Sequence, residues 1–296
     1  INTLHENRTF LPEAPLPPTL TATGDLSEAV SGADVVVSVV PSQFVDAVTT
    51  EAAPHLHPDV IVVSASKGIE TATLRRMDQV MEAHLTPDQM ERFCVLSGPS
   101  FAREVAEQQP TAVVVASHSQ GARLLVQGLF QTPYFRVYTN PDVVGVEMGG
   151  ALKNVIALAA GVVAGLGFGH NTQAALITRG LAEMTRLGLA MGASRETFAG
   201  LAGMGDLVLT CTGGLSRNRT VGLQLGSGRS LDEILGDMKQ VAEGVKTAEA
   251  VHRLATEHAV EMPISQEIYG LLYEGRPPLE AVNNLMMRDP KPEEWS

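Results

Sequence analysis

Lys153 sits in Glu147-Met-Gly-Gly-Ala-Leu-Lys-Asn-Val-Ile-Ala157, a segment so apolar that a helix carrying it must be largely buried. Gly149, Gly150 and Ala157 fall three or four positions from it, on the same helical face. A glycine inside a helix costs up to about 1 kcal/mol relative to alanine, so two of them beside a buried lysine imply room made for a ligand. Desolvation disfavours an ammonium and lowers its pKa, the usual way of turning a lysine into a proton acceptor near neutral pH. The competing reading is a lysine snorkelling out of a helix–helix contact.

Three other groups carry chemistry. Ser216-Arg-Asn-Arg219 follows a glycine pair and opens a helix. Ser216 suits the N-cap, and the positive end of the helix would stand beside the guanidinium of Arg217, which can grip a phosphate bidentately. An ordinary capped helix with exposed arginines explains the same residues. Asp206, in Gly203-Met-Gly-Asp206, is a carboxylate on a glycine-flanked turn, able to accept from a catalytic ammonium or a substrate hydroxyl, or simply to cap a helix. Lys67, in Ser66-Lys-Gly68 at a strand end, is either a site cation or an exposed loop lysine. Gly165-Leu-Gly-Phe-Gly169 follows a helix rather than a strand and is rejected as a dinucleotide loop; no G-x-G-x-x-G follows a strand anywhere in this sequence.

The elements that must position these groups come in two styles. Up to about residue 140, continuous apolar runs (35–40, 60–65, 93–96, 112–116 and a weaker 135–138) alternate with helical spacing at 26–31, 43–51, 74–84, 101–107 and 120–130. Strands that are apolar without alternation belong in a sheet covered on both faces, which implies parallel strands with crossover helices. Helical patterns then follow one another at 143–166, 171–191, 195–199, 217–225, 231–236, 247–258, 263–273 and 278–287. The expected architecture is an α/β domain over 1–140 and an all-helical domain over 141–296. Turns Pro41-Ser-Gln43, Ser66-Lys-Gly68 and Ser97-Gly-Pro-Ser100 close successive strands and should meet at one sheet edge, where open α/β sheets bind ligands.

Composition narrows the function. A net charge of −12 over 296 residues argues against nucleic acid as a partner, since phosphate neutralisation supplies most of that affinity. Cys94 and Cys211 form neither a disulfide framework nor a metal spacing. No signal peptide opens the chain, and the apolar stretch 155–168 falls short of the roughly 20 residues of a membrane span, so a soluble, cytoplasmic protein is expected. The sequence begins at Ile1, and its first 20 residues read as a helix end and a Pro-rich loop, which suggests the greater part of a longer chain.

Taken together, Val39-Val-Pro-Ser-Gln-Phe44, Ser66-Lys-Gly68, Ser97-Gly-Pro-Ser-Phe-Ala102, Phe135-Arg-Val-Tyr138, Gly149-Gly-Ala-Leu-Lys-Asn154, Gly203-Met-Gly-Asp206, Leu209-Thr-Cys-Thr212, Ser216-Arg-Asn218 and Glu243-Gly244 resemble the NAD(P)-dependent glycerol-3-phosphate dehydrogenases, in order and over essentially the whole chain. The resemblance implies a Rossmann-like cofactor domain, a helical substrate domain, NAD or NADP as cofactor, a three-carbon phosphorylated substrate and a homodimer serving phospholipid biosynthesis. It implies Lys153 as proton acceptor, Asp206 as a substrate-binding position counted with it among the catalytic candidates, and Lys67 touching both cofactor and substrate. Gly98, Ser100, Asn154, Thr210, Ser216, Arg217 and Asn218 match substrate-side positions; Ala102, Arg217, Val241 and Glu243 match cofactor contacts. The departure is at the start: the family's first strand, its glycine-rich pyrophosphate turn and the segment selecting NAD or NADP have no counterpart here. A related β-hydroxyacid dehydrogenase, or a cofactor-binding scaffold without catalysis, are the competing readings.

Overall fold

A computed structural model describes residues 1–238 and 242–293. Seven strands are present among them: β1 (Glu6–Asn7), β2 (Leu11–Pro15), β3 (Val35–Ser38), β4 (Ile61–Ser64), β5 (Cys94–Ser97), β6 (Thr111–Ala116) and β7 (Phe135–Asn140). The last five form one sheet in the order β3-β4-β5-β6-β7, and no strand follows Asn140 among the described residues. Two apolar layers, one on each face, cover it: Val62, Val95, Val114 and Val146 lie in one, Ile61, Val63, Val113 and Val137 in the other. That two-sided burial is why β4, β5 and β6 lack an alternating pattern, whereas the edge strands β3 and β7 are half-exposed.

The sheet is not wholly parallel, against the expectation. β3, β4 and β5 run together, but β6 pairs antiparallel to β5, with Val95 opposite Ala116 and Ser97 opposite Val114; β7 then runs parallel to β6. The connection from Ser97 to Thr111 contains only the five-residue helix Ala102–Ala106, too little for a crossover that covers a sheet face. The chain instead turns back at the edge where β5 ends. Residues 98–110 therefore stay at the carboxyl ends of β3, β4 and β5. The opening segment also differs from expectation: β1 and β2 form an antiparallel ribbon in which the Glu6 carboxylate accepts from Glu13 N at 2.9 Å and from Arg8 Nε at 2.9 Å.

The helix Val143–Gly165 is the axis of the second half. Asp142 caps it, its Oδ1 accepting from Gly145 N at 2.8 Å and its Oδ2 from Ser194 N at 2.9 Å and Thr197 Oγ1 at 2.6 Å. By length and composition this helix could cross a membrane, yet 89% of its most apolar window is buried inside the protein, where helices His170–Ala190, Asp206–Thr212, Arg217–Gly226 and Glu243–Glu257 surround it. It starts beside the far edge of the sheet, after β7, and reaches the carboxyl edge of β5 near Gly150.

Gly161 and Gly165 face Gly222 and Gly226 across the contact with Arg217–Gly226. A Cβ at Gly222 would run into the Leu158 carbonyl and come within 3.0 Å of Gly161 Cα, so the two backbones touch with nothing between them. Gly222→Val should therefore cost about 1–3 kcal/mol, the usual size for overpacking a filled contact. Gly236→Ala, in helix Leu231–Asp237 with open space around it, should instead stabilise slightly. Thermal unfolding checks both signs; equal midpoints for Gly222→Val and the native protein would contradict the close approach.

Candidate active site

Lys153 comes up in the third turn of Val143–Gly165 with 9% of its side chain exposed. Its Nζ donates to Asp206 Oδ1 at 2.8 Å and to Thr210 Oγ1 at 2.9 Å, leaving one N–H direction for the cleft it lines. Asp206 and Thr210 are one turn apart in Asp206–Thr212, so both reach the same ammonium. The other Asp206 oxygen, Oδ2, accepts from Lys67 Nζ at 2.7 Å, and that nitrogen also donates to the Gly98 carbonyl at 3.1 Å. A single carboxylate, 2% exposed, thus holds two lysines from two domains.

Burial lowers the Lys153 pKa to about 8; the nearby Lys67 charge works the same way, and Asp206 opposes them. For Asp206, burial pushes upward, but the two lysines outweigh it and hold the carboxyl below its ordinary range. The Cys211 thiol, pushed up to about 12 by burial, is inert.

The sequence places these groups by unequal means. A single π-helical turn, Leu201–Gly205, feeds directly into Asp206–Thr212 and puts Asp206 at the start of that helix. The sequence suggested that Gly149 and Gly150 make room for a ligand; the structure fills that room with protein instead. A Cβ at Gly149 would stand 2.5 Å from the Ala202 carbonyl of that turn, and one at Gly150 3.0 Å from Ser97 Oγ and 3.4 Å from Lys67 Cγ. The glycines let the turn and the Lys67 stem come close to the helix.

A buried amide chain joins the remaining elements. Asn154 Nδ2 donates to the Lys67 carbonyl at 3.4 Å, Asn218 Nδ2 to Asn154 Oδ1 at 2.9 Å, and Gly244 N to Asn218 Oδ1 at 3.0 Å. Ser216 caps Arg217–Gly226 by accepting from Arg219 N at 3.2 Å, which presents Arg217 at the positive end of the helix. Glu243 Oε1 accepts from Ser42 N at 2.8 Å, tying Glu243–Glu257 to the turn after β3; burial raises its pKa.

All of this surrounds one cleft of about 580 Å³ between the sheet edge and the helices. Residues 1–123 match the family described as NAD-dependent glycerol-3-phosphate dehydrogenase N-terminus, and residues 142–283 the family's C-terminus. The chain belongs to the NAD-dependent glycerol-3-phosphate dehydrogenase family. A glycerol-3-phosphate dehydrogenase [NAD(P)+] of Geobacter metallireducens is 64% identical, covering 97% of this chain and 86% of that protein. One from Thermobifida fusca is 52% identical, over 100% of this chain and 88% of the relative. The crystal structure of glycerol-3-phosphate dehydrogenase from Coxiella burnetii superposes with a TM-score of 0.92 at 39% identity, covering 97% of this chain and 87% of that one.

Of the residues the family resemblance picked out, Lys67, Ser100, Ala102, Lys153, Asn154, Thr210, Ser216, Arg217, Asn218 and Glu243 line the cleft. Asp206 does not line it; both its oxygens are engaged by the lysines beneath the surface. Gly98 enters through its carbonyl, and its φ of +129° with Val113 Cα 3.0 Å from a would-be Cβ makes glycine obligatory there. Val241 lies outside the described residues. The turn at Pro41 meets that at Ser66 and Lys67 and that at Ser97 and Ser100 in the cleft, as the sequence suggested; Val39, Val40, Phe101, Phe135 and Leu215 also line it, a role the sequence did not assign them. Phe135 reaches the cleft only because β6 and β7 reverse direction, which no local pattern signals.

The lining combines an apolar wall at the end of β3, the exposed start of Ala102–Ala106, and basic side chains that include Lys67 and Arg217.

Proposed function

We propose that this chain interconverts glycerol 3-phosphate and dihydroxyacetone phosphate with NAD or NADP, Lys153 moving the proton and Arg217 holding the phosphate. The observation that carries the reading is Lys153 itself: a buried amine, fixed on two sides by Asp206 and Thr210, with its third direction opening on a cleft that Arg217 also lines. The names of the relatives, glycerol-3-phosphate dehydrogenase [NAD(P)+], support the substrate and cofactor.

A nicotinamide cofactor, when bound, would supply the hydride acceptor for oxidation at C2 and the hydride donor for reduction of the carbonyl. The chain's own residues do the rest. Neutral Lys153 takes the C2 hydroxyl proton during oxidation; as an ammonium it gives that proton to the carbonyl oxygen during reduction. Asp206 fixes the Lys153 nitrogen through Oδ1 and holds Lys67 through Oδ2, which keeps a second cation beside the proton-transfer group. Lys67, Val39, Val40, Ala102 and Glu243 would hold the cofactor; Ser100, Asn154, Ser216 and Asn218 complete the substrate end. A homodimer in the cytoplasm, supplying glycerol 3-phosphate for phospholipid synthesis, is the setting this reading carries.

Arg217→Lys tests the phosphate assignment. An ammonium cannot reproduce the planar fork, and losing one charged hydrogen bond of this kind costs about 1.5–3 kcal/mol. kcat/KM for glycerol 3-phosphate should fall accordingly, while unphosphorylated glycerol, a poor substrate, should not respond. Equal losses for both substrates would remove Arg217 from the phosphate site.

A further inference from the structure

Gly213 ends helix Asp206–Thr212 with φ −71° and ψ 134°, a conformation any residue adopts. What excludes a side chain is the space. A Cβ there would lie 2.5 Å from Cε2 and 2.9 Å from Cζ of Phe101, and 2.7 Å from the Leu209 carbonyl. The Phe101 ring therefore crosses from the sheet edge and lies against the bare backbone of Gly213, on the far side of the cleft that it also lines. Phe101 is half-buried and belongs to none of the buried apolar clusters among the described residues. Its contact serves the loop.

That loop joins both halves of the chemistry. Gly213 N donates to the Leu209 carbonyl at 2.8 Å, continuing the helix that bears Asp206 and Thr210. The Gly213 carbonyl accepts from Ser216 N at 3.3 Å, and Ser216 caps the helix whose first residue is Arg217. On the other side, Phe101 is the N-cap of Ala102–Ala106, its carbonyl accepting from Val105 N at 3.1 Å, so the ring is carried on a fixed backbone directly after Ser100.

We propose that Phe101 is a positioning residue: its ring, seated on Gly213, sets where the 213–216 loop delivers Arg217 to the substrate phosphate. This rests on the assignment of Arg217 to that phosphate. Without the ring, the loop has free volume beside it and no apolar support, and Arg217 loses its alignment while the Lys153–Asp206–Thr210 contacts, one helix turn deeper, remain.

The test is steady-state kinetics of Phe101→Ala and Phe101→Leu beside Arg217→Lys, with glycerol 3-phosphate and glycerol at several pH values. A displacement near 1 Å can cost about a hundredfold, so Phe101→Ala should raise KM for glycerol 3-phosphate about 10–100-fold with a much smaller change in kcat. The pH inflection of Lys153 should stay as in the native enzyme, any loss with glycerol should be much smaller than with glycerol 3-phosphate, and Phe101→Leu should recover most of the KM. A native KM in Phe101→Ala, equal losses with both substrates, or a leucine variant no better than alanine would overturn the role. If Arg217→Lys weakens glycerol 3-phosphate and Phe101→Ala does not, the positioning role alone fails; if neither variant responds, it is the phosphate assignment that fails.

Discussion

Lys153→Met should reduce kcat by about 10²–10⁴-fold, the usual contribution of a positioned general acid–base group, while cofactor still binds. Methionine keeps the volume of the stem and removes the charge, so a lysine that only packed between helices would leave a nearly active enzyme. The geometry argues against mere packing. Two of the three nitrogen directions are fixed by Asp206 Oδ1 and Thr210 Oγ1, and the third opens on the cleft. A pKa lowered to about 8, chiefly by burial, leaves amine and ammonium both populated near neutrality, which a group acting in both directions requires. The decisive readout is single-turnover hydride transfer with cofactor binding measured on the same protein. A Met variant within a few-fold of native would end the proposal.

Asp206→Asn should be nearly as severe, and for a different reason. The carboxylate is the shared anion of two lysines, 2.8 Å from one and 2.7 Å from the other. Removing its charge leaves two buried or half-buried ammoniums facing each other, and breaking such a pair by taking one partner costs about 3–5 kcal/mol of stability. The sign of the pH effect follows from the same contacts. Asp206 raises the Lys153 pKa against burial and Lys67, so its loss lowers that pKa further and moves the oxidation profile to lower pH. A variant whose inflection moves upward, or whose unfolding midpoint is unchanged, would show that Asp206 is not the counter-ion described here.

Much of this was legible in the sequence because burial writes itself into composition. Strands β4 to β6 stand out as continuous apolar runs since both sheet faces are covered there, and Val143–Gly165 is readable as a buried helix interrupted by one lysine and one glutamate. The N-cap serine of Arg217–Gly226 is local chemistry and stands where the sequence suggested; Asp206, suggested for a glycine-flanked turn, instead opens a short helix after a π-helical turn. The reversal of β6 was not legible, because strand direction depends on how much chain the Ser97–Thr111 connection can lay across a face. Nor was the use of Gly149 and Gly150, where the sequence announces space but not its occupant: the occupants are the Ala202 carbonyl and the Lys67 stem, distant in sequence. The Phe101 contact with Gly213 was hidden for the same reason.

Single-turnover rates of hydride transfer in both directions, measured across pH on the native enzyme, test the role of Lys153 most directly. Oxidation of glycerol 3-phosphate needs the amine and reduction of dihydroxyacetone phosphate needs the ammonium. The two rates should therefore be mirror images, oxidation rising and reduction falling through one shared inflection near pH 8, where burial sets the Lys153 pKa. Rates that ignore pH around that value, or that bend in the same sense in both directions, would contradict Lys153 as the proton-transfer group.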